Sequence, residues 1–450
     1  MKIFSLKLEN FRRFTSFSVE FDERLTVIVA LNGHGKTTIL EGIVSALGPF
    51  VGSFDSSNSK HISKSDARYY RVGSGFENEQ AFPVTVSASS SSPNLNWSRA
   101  LNSSKSKTTI KEAKPLSEYG ASLAQSLKNG AETMLPVICY YASSRLWSAH
   151  RKTVQRQDLT RSRSLGYTDC LSNLSNFGQL EEWIKTATYA SIQQSQQQGY
   201  GHAGTAESLR GISKAVDTVL KGEGWRDFHF SLTLDELAMF HEDHGILPVS
   251  LFSDGVRATV MLVADLALRC AQLNSPLGAE APQKTPGIVL IDEVDLHLHP
   301  AWQQRILASL LETFPEIQFI VTTHSPQVVS TIENNRIRII TSKNDRTLGG
   351  EHGHAEKPAQ QTQGTASSEV LANVFAVDPV PELEPVKQLS NYRALVQKGL
   401  WKNSEGEFLR QCLIRHFGES HPVILEIDRL IRLGEMKDRI SQKKVPPISE

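Results

Sequence analysis

ALNGHGKT at residues 30–37 follows an apolar run, LTVIV at 25–29, and precedes a helix-like segment, TILEGIVSAL at 38–47. A glycine-rich turn between a strand and a helix binds phosphate for three reasons. Its backbone N–H groups point inward at the anion, the helix N-terminus adds partial positive charge, and a lysine reaches the terminal phosphates. Lys36 is that lysine, and Thr37 supplies a hydroxyl for Mg2+. The backbone of Asn32, Gly33, His34, Gly35, Lys36, Thr37 and Thr38 would wrap a triphosphate, so ATP and Mg2+ are the expected cofactors. Ala30 stands where the G-x-x-x-x-G-K-T pattern has its first glycine. A methyl group there narrows the backbone's choices, so a slightly reshaped loop is expected.

Three further stretches fit the same chemistry. GIVLIDEVDLHLHP at 287–300 is an apolar run, short enough for a buried parallel strand, that ends in two consecutive carboxylates. Asp292 is placed to hold Mg2+ through water, and Glu293 to polarise the attacking water. A second apolar strand, QFIVTTH at 318–324, ends in His324, which is placed to touch a γ-phosphate. Finally, LFSDGVR at 251–257 sits ahead of a long apolar helix over 258–273. Ser253 and Gly255 at that helix start offer free N–H groups and a positive dipole end.

The order of phosphate loop, Ser-Asp-Gly helix, Asp-Glu strand and histidine strand resembles the ATP-binding-cassette (ABC) class of ATPases. That resemblance implies two heads that sandwich two ATP molecules, with Ser253 and Gly255 acting in trans and Asp295 at the dimer seam. The opening MKIFSLKLENFRRF at 1–14 alternates apolar and polar residues as a half-buried strand does. It looks like the start of the RecF, SMC and OLD-type heads (the AAA_21-type group) and unlike a transporter cassette. The resemblance puts Arg12 and Arg13 near the nucleotide, one on the phosphates and the other on the surface. YYASSRLW at 140–147, GTASSEVLANV at 364–374 and HFGESHPVILEIDR at 416–429 resemble the PtuA-type ATPases of Septu anti-phage systems. This second likeness implies an oligomeric ATPase that assembles with an HNH nuclease partner of the PtuB kind and regulates attack on DNA.

Composition excludes several classes without selecting a role. Lys+Arg and Asp+Glu both number 48, so any DNA contact must be a local patch. The four cysteines, at 139, 170, 270 and 412, have no paired metal spacing and read as neutral thiols in a reducing, cytoplasmic setting. No long apolar run suggests a membrane span. His352 and His354 lie in a Gly-rich stretch without carboxylate or cysteine partners at ligand spacing, and read as solvent loop.

Between the motifs, 66–71 (DARYYR) is expected to return toward the nucleotide, with Gln80 a candidate for the γ-phosphate-sensing glutamine of the class. Residues 82–88 and 95–101 read as a hairpin, and 103–114 as a mobile excursion. The run 150–163 holds Arg151, Lys152, Arg156, Arg161 and Arg163 against one acid, Asp158, and is the best DNA or partner patch in the chain. Residues 171–222 read as helices around a Gln/Gly-rich link at 195–204, with no sustained heptads, which argues for a compact head.

The fold expected is therefore α/β, a P-loop ABC-type ATPase head with β-hairpin and short helical insertions plus a small helical C-terminal unit. The head would span 1–345, with inserts at about 82–115 and 171–222, followed by a linker at 346–365 and a helical region at 366–450. No Asp-x-Asp strand element follows His324, and Glu426-Ile427-Asp428 falls in an amphipathic helix pattern, so cleavage is expected to need another polypeptide. The leading function is a regulatory ATPase of a defence nuclease. The alternatives are a RecF-like repair ATPase and an ATP-sensing scaffold with little hydrolysis.

Overall fold

The computed structural model describes residues 1–442 apart from 32, 56, 58, 72–77, 147–161, 174–176, 197–202 and 346–349. The chain divides into two compact units, Met1–Phe375 and Ala376–Glu450.

The strands of the first unit begin with β1 Lys2–Phe11, β2 Phe14–Glu20, β3 Leu25–Val29, β4 Tyr69–Arg71, β5 Asn78–Gln80, β6 Val84–Ser92, β7 Asn94–Leu101 and β8 Val137–Tyr141. They continue with β9 Trp225–Ser231, β10 Glu236–His241, β11 Gly245–Pro248, β12 Gly287–Ile291, β13 Ile317–Thr323, β14 Ile337–Asp345 and β15 Gly350–Glu356. Ten of them form one sheet in the order β7-β6-β1-β2-β15-β14-β3-β13-β12-β8. From β14 to β8 all neighbours are parallel, whereas β7, β6, β1 and β2 form an antiparallel wing. The apolar runs LTVIV and GIVLI of the sheet interior and VICYY of its end strand β8 are buried at every position, as parallel strands covered on both faces are.

Helix α1, Lys36–Val51, leaves the phosphate loop and runs through the core, with only Thr37 and Glu41 not buried. Burying Leu40, Ile43, Leu47 and Phe50 stabilises it by about 1.5–3 kcal/mol per side chain. The wing closes over it: the Trp97 indole N–H donates to the Ala46 carbonyl at 2.9 Å, and the Arg99 guanidinium to the Ser45 carbonyl at 2.6 Å. Helix α2, Lys114–Lys128, packs on α1. Helices α3 Phe177–Gln196 and α4 Ala203–Leu220 pack against each other and against α5, Asp254–Leu273. The Gln/Gly-rich link between α3 and α4 falls largely outside the described residues. Burial pushes the Cys139 thiol up to about 12, so it is a neutral packing group.

Gly287 opens β12 because only a hydrogen fits there: a Cβ would stand 2.0 Å from the Val137 carbonyl oxygen of β8. Gly287→Ala is expected to lower stability by about 3 kcal/mol through strand displacement, read as a drop in denaturation midpoint.

Several boundaries differ from the sequence expectation. The 82–101 hairpin is the edge of the main sheet, because β6 supplies the backbone partners that β1 needs on its outer side. The 103–114 excursion is tied down at Thr109, which exchanges bonds with Ala100 through its own N–H and its hydroxyl. The linker at 346–365 contains β15, which pairs with β14 on one side and β2 on the other and so joins the two halves of the sheet. His352 and His354 are therefore strand residues; GEHGHAE lacks the apolar alternation that would have marked it. Short helices α6 Ala281–Lys284, α7 Pro300–Gln303, α8 Ile306–Thr313 and α9 Pro326–Val329 complete the parallel half. Helix α10, Ser367–Asn373, belongs to this unit too, with Val370, Val374 and Phe375 in its core. Most of the basic run lies outside the described residues. Arg163 is described and leaves the patch: it donates to the carbonyls of Leu273 and Thr133, both at 2.7 Å.

The second unit holds α11 Glu384–Gln397, α12 Ser404–Phe417 and α13 Pro422–Gln442 around Leu389, Tyr392, Leu409, Leu413, Ile424, Ile427 and Ile431. Glu426 and Asp428 lie on α13, ion-paired to Arg393 at 2.8 Å and Arg410 at 2.6 Å. Among the described residues no helix is long and apolar enough to cross a membrane.

Candidate active site

Strand register assembles the site. Thr323 pairs with Val29, which puts His324 level with Ala30, and Val321 pairs with Ile291, which puts Asp292 level with Thr322. The phosphate loop, Asp292 and His324 thus lie at the carboxyl ends of three adjacent parallel strands, the usual ligand edge of such sheets.

At that edge Lys36 is buried, and its ammonium donates to the Ala30 carbonyl at 2.9 Å. His324 Nδ1 is 3.4 Å from the same ammonium. The Thr37 hydroxyl donates to Asp292 Oδ2 at 2.8 Å. Asp292 is 1% exposed, and its N–H is held by the Tyr141 carbonyl at 2.8 Å. A hydroxyl and a carboxylate this close form a hard oxygen set that suits Mg2+, an ion that keeps several waters and takes few protein ligands. Glu293 follows at φ 51, a left-handed backbone uncommon for a residue with a side chain.

The loop itself turns on Gly33 at φ 75 and Gly35 at φ 90. Ala30 is not among the positive-φ residues, so its methyl group fits an ordinary backbone and the expected reshaping is not needed. His34 closes the turn by donating its N–H to the Leu31 carbonyl at 3.2 Å, and Thr38 is buried in the first turn of α1. Asn32 lies outside the described residues.

The two arginines part company. Arg13 reaches the loop and donates to the Gly33 carbonyl. Arg12 turns away: its guanidinium grips Asp66 at 3.0 Å and pairs with Glu41. Asp66 thus anchors the returning 66–71 segment to β1, while the Gln80 amide donates to the Lys64 carbonyl at 2.8 Å and the Tyr69 hydroxyl at 3.0 Å.

Ser253 stands exposed at the N-cap of α5, and its hydroxyl makes no capping bond. Gly255 is buried against the same chain's turn after Glu293, where a Cβ would stand 2.2 Å from the His297 carbonyl oxygen. Asp295 accepts from the Thr323 hydroxyl at 2.6 Å. Thr322 and Thr323 went unnoticed in the sequence, although two hydroxyls ending an otherwise apolar strand are a signal. So did a half-buried chain in which the Tyr141 hydroxyl donates to Asp265 at 2.7 Å and Arg269 pairs with Asp265 at 2.8 Å. It ties α5 to β8, and hence to the Asp292 backbone.

Electrostatically the free site is poised for an anion. Burial lowers the Lys36 pKa, only partly offset by Asp292, Glu293 and Asp295. Burial, then the Lys36 charge, lowers that of His324, so its imidazole is neutral at pH 7. A γ-phosphate beside it favours the imidazolium. The His324 pKa, followed by NMR in labelled protein, is therefore expected to rise when a non-hydrolysable ATP analogue is added.

Two domain families match this chain: the AAA_23 "AAA domain" over residues 5–214 and the AAA_21 "AAA domain, putative AbiEii toxin, Type IV TA system" over 142–330. Among curated proteins, the "Retron Ec83 probable ATPase" of Escherichia coli is 38% identical over 40% of this chain, a match spanning only 31% of that protein's length. The "Retron Vc95 probable ATPase" of Vibrio cholerae is 25% identical over 89% of this chain and 84% of its own. The Septu protein PtuA of Bacillus thuringiensis is 21% identical over 74% of each. In solved structures, an SMC head bound to the C-winged helix domain of ScpA covers 80% of this chain and 98% of its own at 15% identity and TM-score 0.46. The chain thus carries sequence of the AAA_23 ATPase-domain type over residues 5–214 and of the AAA_21 type over residues 142–330.

Proposed function

We propose that this chain is the ATP-hydrolysing regulatory subunit of an anti-phage defence complex, which assembles with an HNH nuclease and controls its action on DNA. One observation carries the ATPase half: the Thr37–Asp292 hydrogen bond beneath the phosphate loop, with Lys36 and His324 beside it. The defence half draws on the likeness to the two retron ATPases and to PtuA.

Lys36 and the N–H groups of Asn32 to Thr38 bind the triphosphate, and Arg13 supports the loop through Gly33. Thr37 and Asp292 hold Mg2+, which compensates phosphate charge when bound. Glu293 orients the attacking water, and His324 contacts the γ-phosphate. Phosphoryl transfer needs little beyond this positioning and charge compensation. Ser253 and Gly255 of a second copy close each site, so nucleotide state becomes oligomer geometry that the nuclease reads. The chain does not cut DNA by itself.

Plasmid cleavage by this protein alone and with the product of its neighbouring gene, with and without ATP and Mg2+, tests the reading. Cleavage only in the mixture, altered by ATP, supports it; cleavage by this chain alone sinks it. A second reading, a RecF-like repair ATPase, is favoured by a 24% identical match to Francisella tularensis RecF over 43% of this chain. It requires DNA-stimulated hydrolysis by the isolated chain and no cleavage in any mixture.

A further inference from the structure

We infer that Thr322 is a positioning residue for ATP hydrolysis: its single hydroxyl couples the metal-holding carboxylate of Asp292 to the backbone of Glu293. The inference rests on the ATPase reading above.

Thr322 is fully buried near the end of β13, in the strand IQFIVTT. Its hydroxyl donates to Asp292 Oδ1 at 2.6 Å and accepts from the Glu293 N–H at 2.8 Å. Its carbonyl accepts from the Val294 N–H at 3.0 Å. One residue therefore brackets Glu293 on both sides and grips the residue before it. Because Asp292 Oδ2 already accepts from Thr37, the carboxylate is held from two directions, by the nucleotide helix and by the histidine strand. It cannot rotate without losing one of these bonds. Glu293, at φ 51, sits in a backbone that its own side chain disfavours, and its N–H and that of Val294 are both tied to Thr322.

The neighbouring hydroxyl works on the opposite face of the strand. Thr323 donates to Asp295 at 2.6 Å and accepts from the Ser325 N–H at 2.9 Å, just past His324. The end of β13 thus connects the residue that meets the γ-phosphate to those that hold Mg2+ and water. A buried threonine kept only for packing would need none of this: valine has the same shape and suits a strand better.

The test uses the full chain as wild type, Thr322→Val, Thr322→Ala and Thr322→Ser. Binding of a fluorescent, non-hydrolysable ATP analogue is measured in EDTA and again in Mg2+, alongside steady-state turnover. In the valine and alanine variants the gain in affinity on adding Mg2+, and kcat, are each expected to fall about 10–100-fold, as for other groups that orient a metal ligand. Binding in EDTA, which depends on Lys36 and the loop, stays at the wild-type level. Serine restores both. The inference is overturned if valine and alanine keep the Mg2+ gain and turnover, or if serine loses as much as alanine, which would assign the effect to the methyl group. Should the valine variant not fold, alanine against serine decides alone. A wild-type chain that neither binds nor hydrolyses ATP brings down the proposed function itself; a normal wild type beside a normal Thr322→Val brings down only this inference.

Discussion

Replacing Glu293 with Gln is expected to lower kcat by about 10²–10⁴-fold, the usual contribution of a positioned general base, while ATP still binds. The substitution keeps the side chain's length and the bond from the N–H of residue 293 to the Thr322 hydroxyl. It removes only the carboxylate that orients water. Lys36, Thr37 and Asp292 remain, so the triphosphate is captured and not spent. If two heads close on ATP, the trapped state should accumulate as a larger species in size-exclusion chromatography with ATP and Mg2+. Unchanged turnover and unchanged oligomer size together would remove Glu293 from its assigned role.

Lys36→Met should weaken ATP binding by about 100-fold, since charge-assisted hydrogen bonds are worth about 1.5–3 kcal/mol and 1.4 kcal/mol is tenfold. The same variant should leave the nucleotide-free protein at least as stable at pH 7. The sign follows from linkage. The folded Lys36 pKa lies below its ordinary value because burial penalises the ammonium. Its cost to folding is therefore fully present at any pH below the folded pKa and fades as pH rises toward the unfolded value near 10.5. Methionine fills the channel without a charge to desolvate. A thermal melt showing an equal or higher midpoint for the variant without ATP, and no upward shift on adding Mg2+ and ATP, is the expected pair. A variant that melts lower yet still shifts with ATP would mean that the Lys36 ammonium neither pays for burial nor meets the phosphates.

Much of the parallel half was legible because local chemistry marks it. Leu25–Val29, Gly287–Ile291 and the strand ending at Thr323 are short, largely apolar runs, followed by the phosphate loop, by Asp292 and Glu293, and by His324. The antiparallel wing was harder. A hairpin at 82–101 was readable from alternation, but its place beside β1 was not, because a solvated sheet face gives no sign of which edge it joins. β15 was missed outright, since Gly350–Glu356 offers little apolar surface and owes its strand form to the partners β14 and β2. The sequence expected one arginine on the phosphates and the other on the surface; in the structure Asp66, distant along the chain, pairs with Arg12, while Arg13 reaches the loop.

By itself, then, the sequence determined the kind of protein: spacing of glycine, lysine, carboxylate and histidine after short apolar runs is local information, and it specified a nucleotide-binding α/β head. Only the tertiary structure decided how these residues meet. The pairing of Val29 with Thr323 and of Ile291 with Val321 is a matter of strand register. A slip of one residue would turn each side chain to the other face. Register is set by packing across the whole sheet, and so the bonds of Thr322 to Asp292 and Glu293 could be seen only once the strands were side by side.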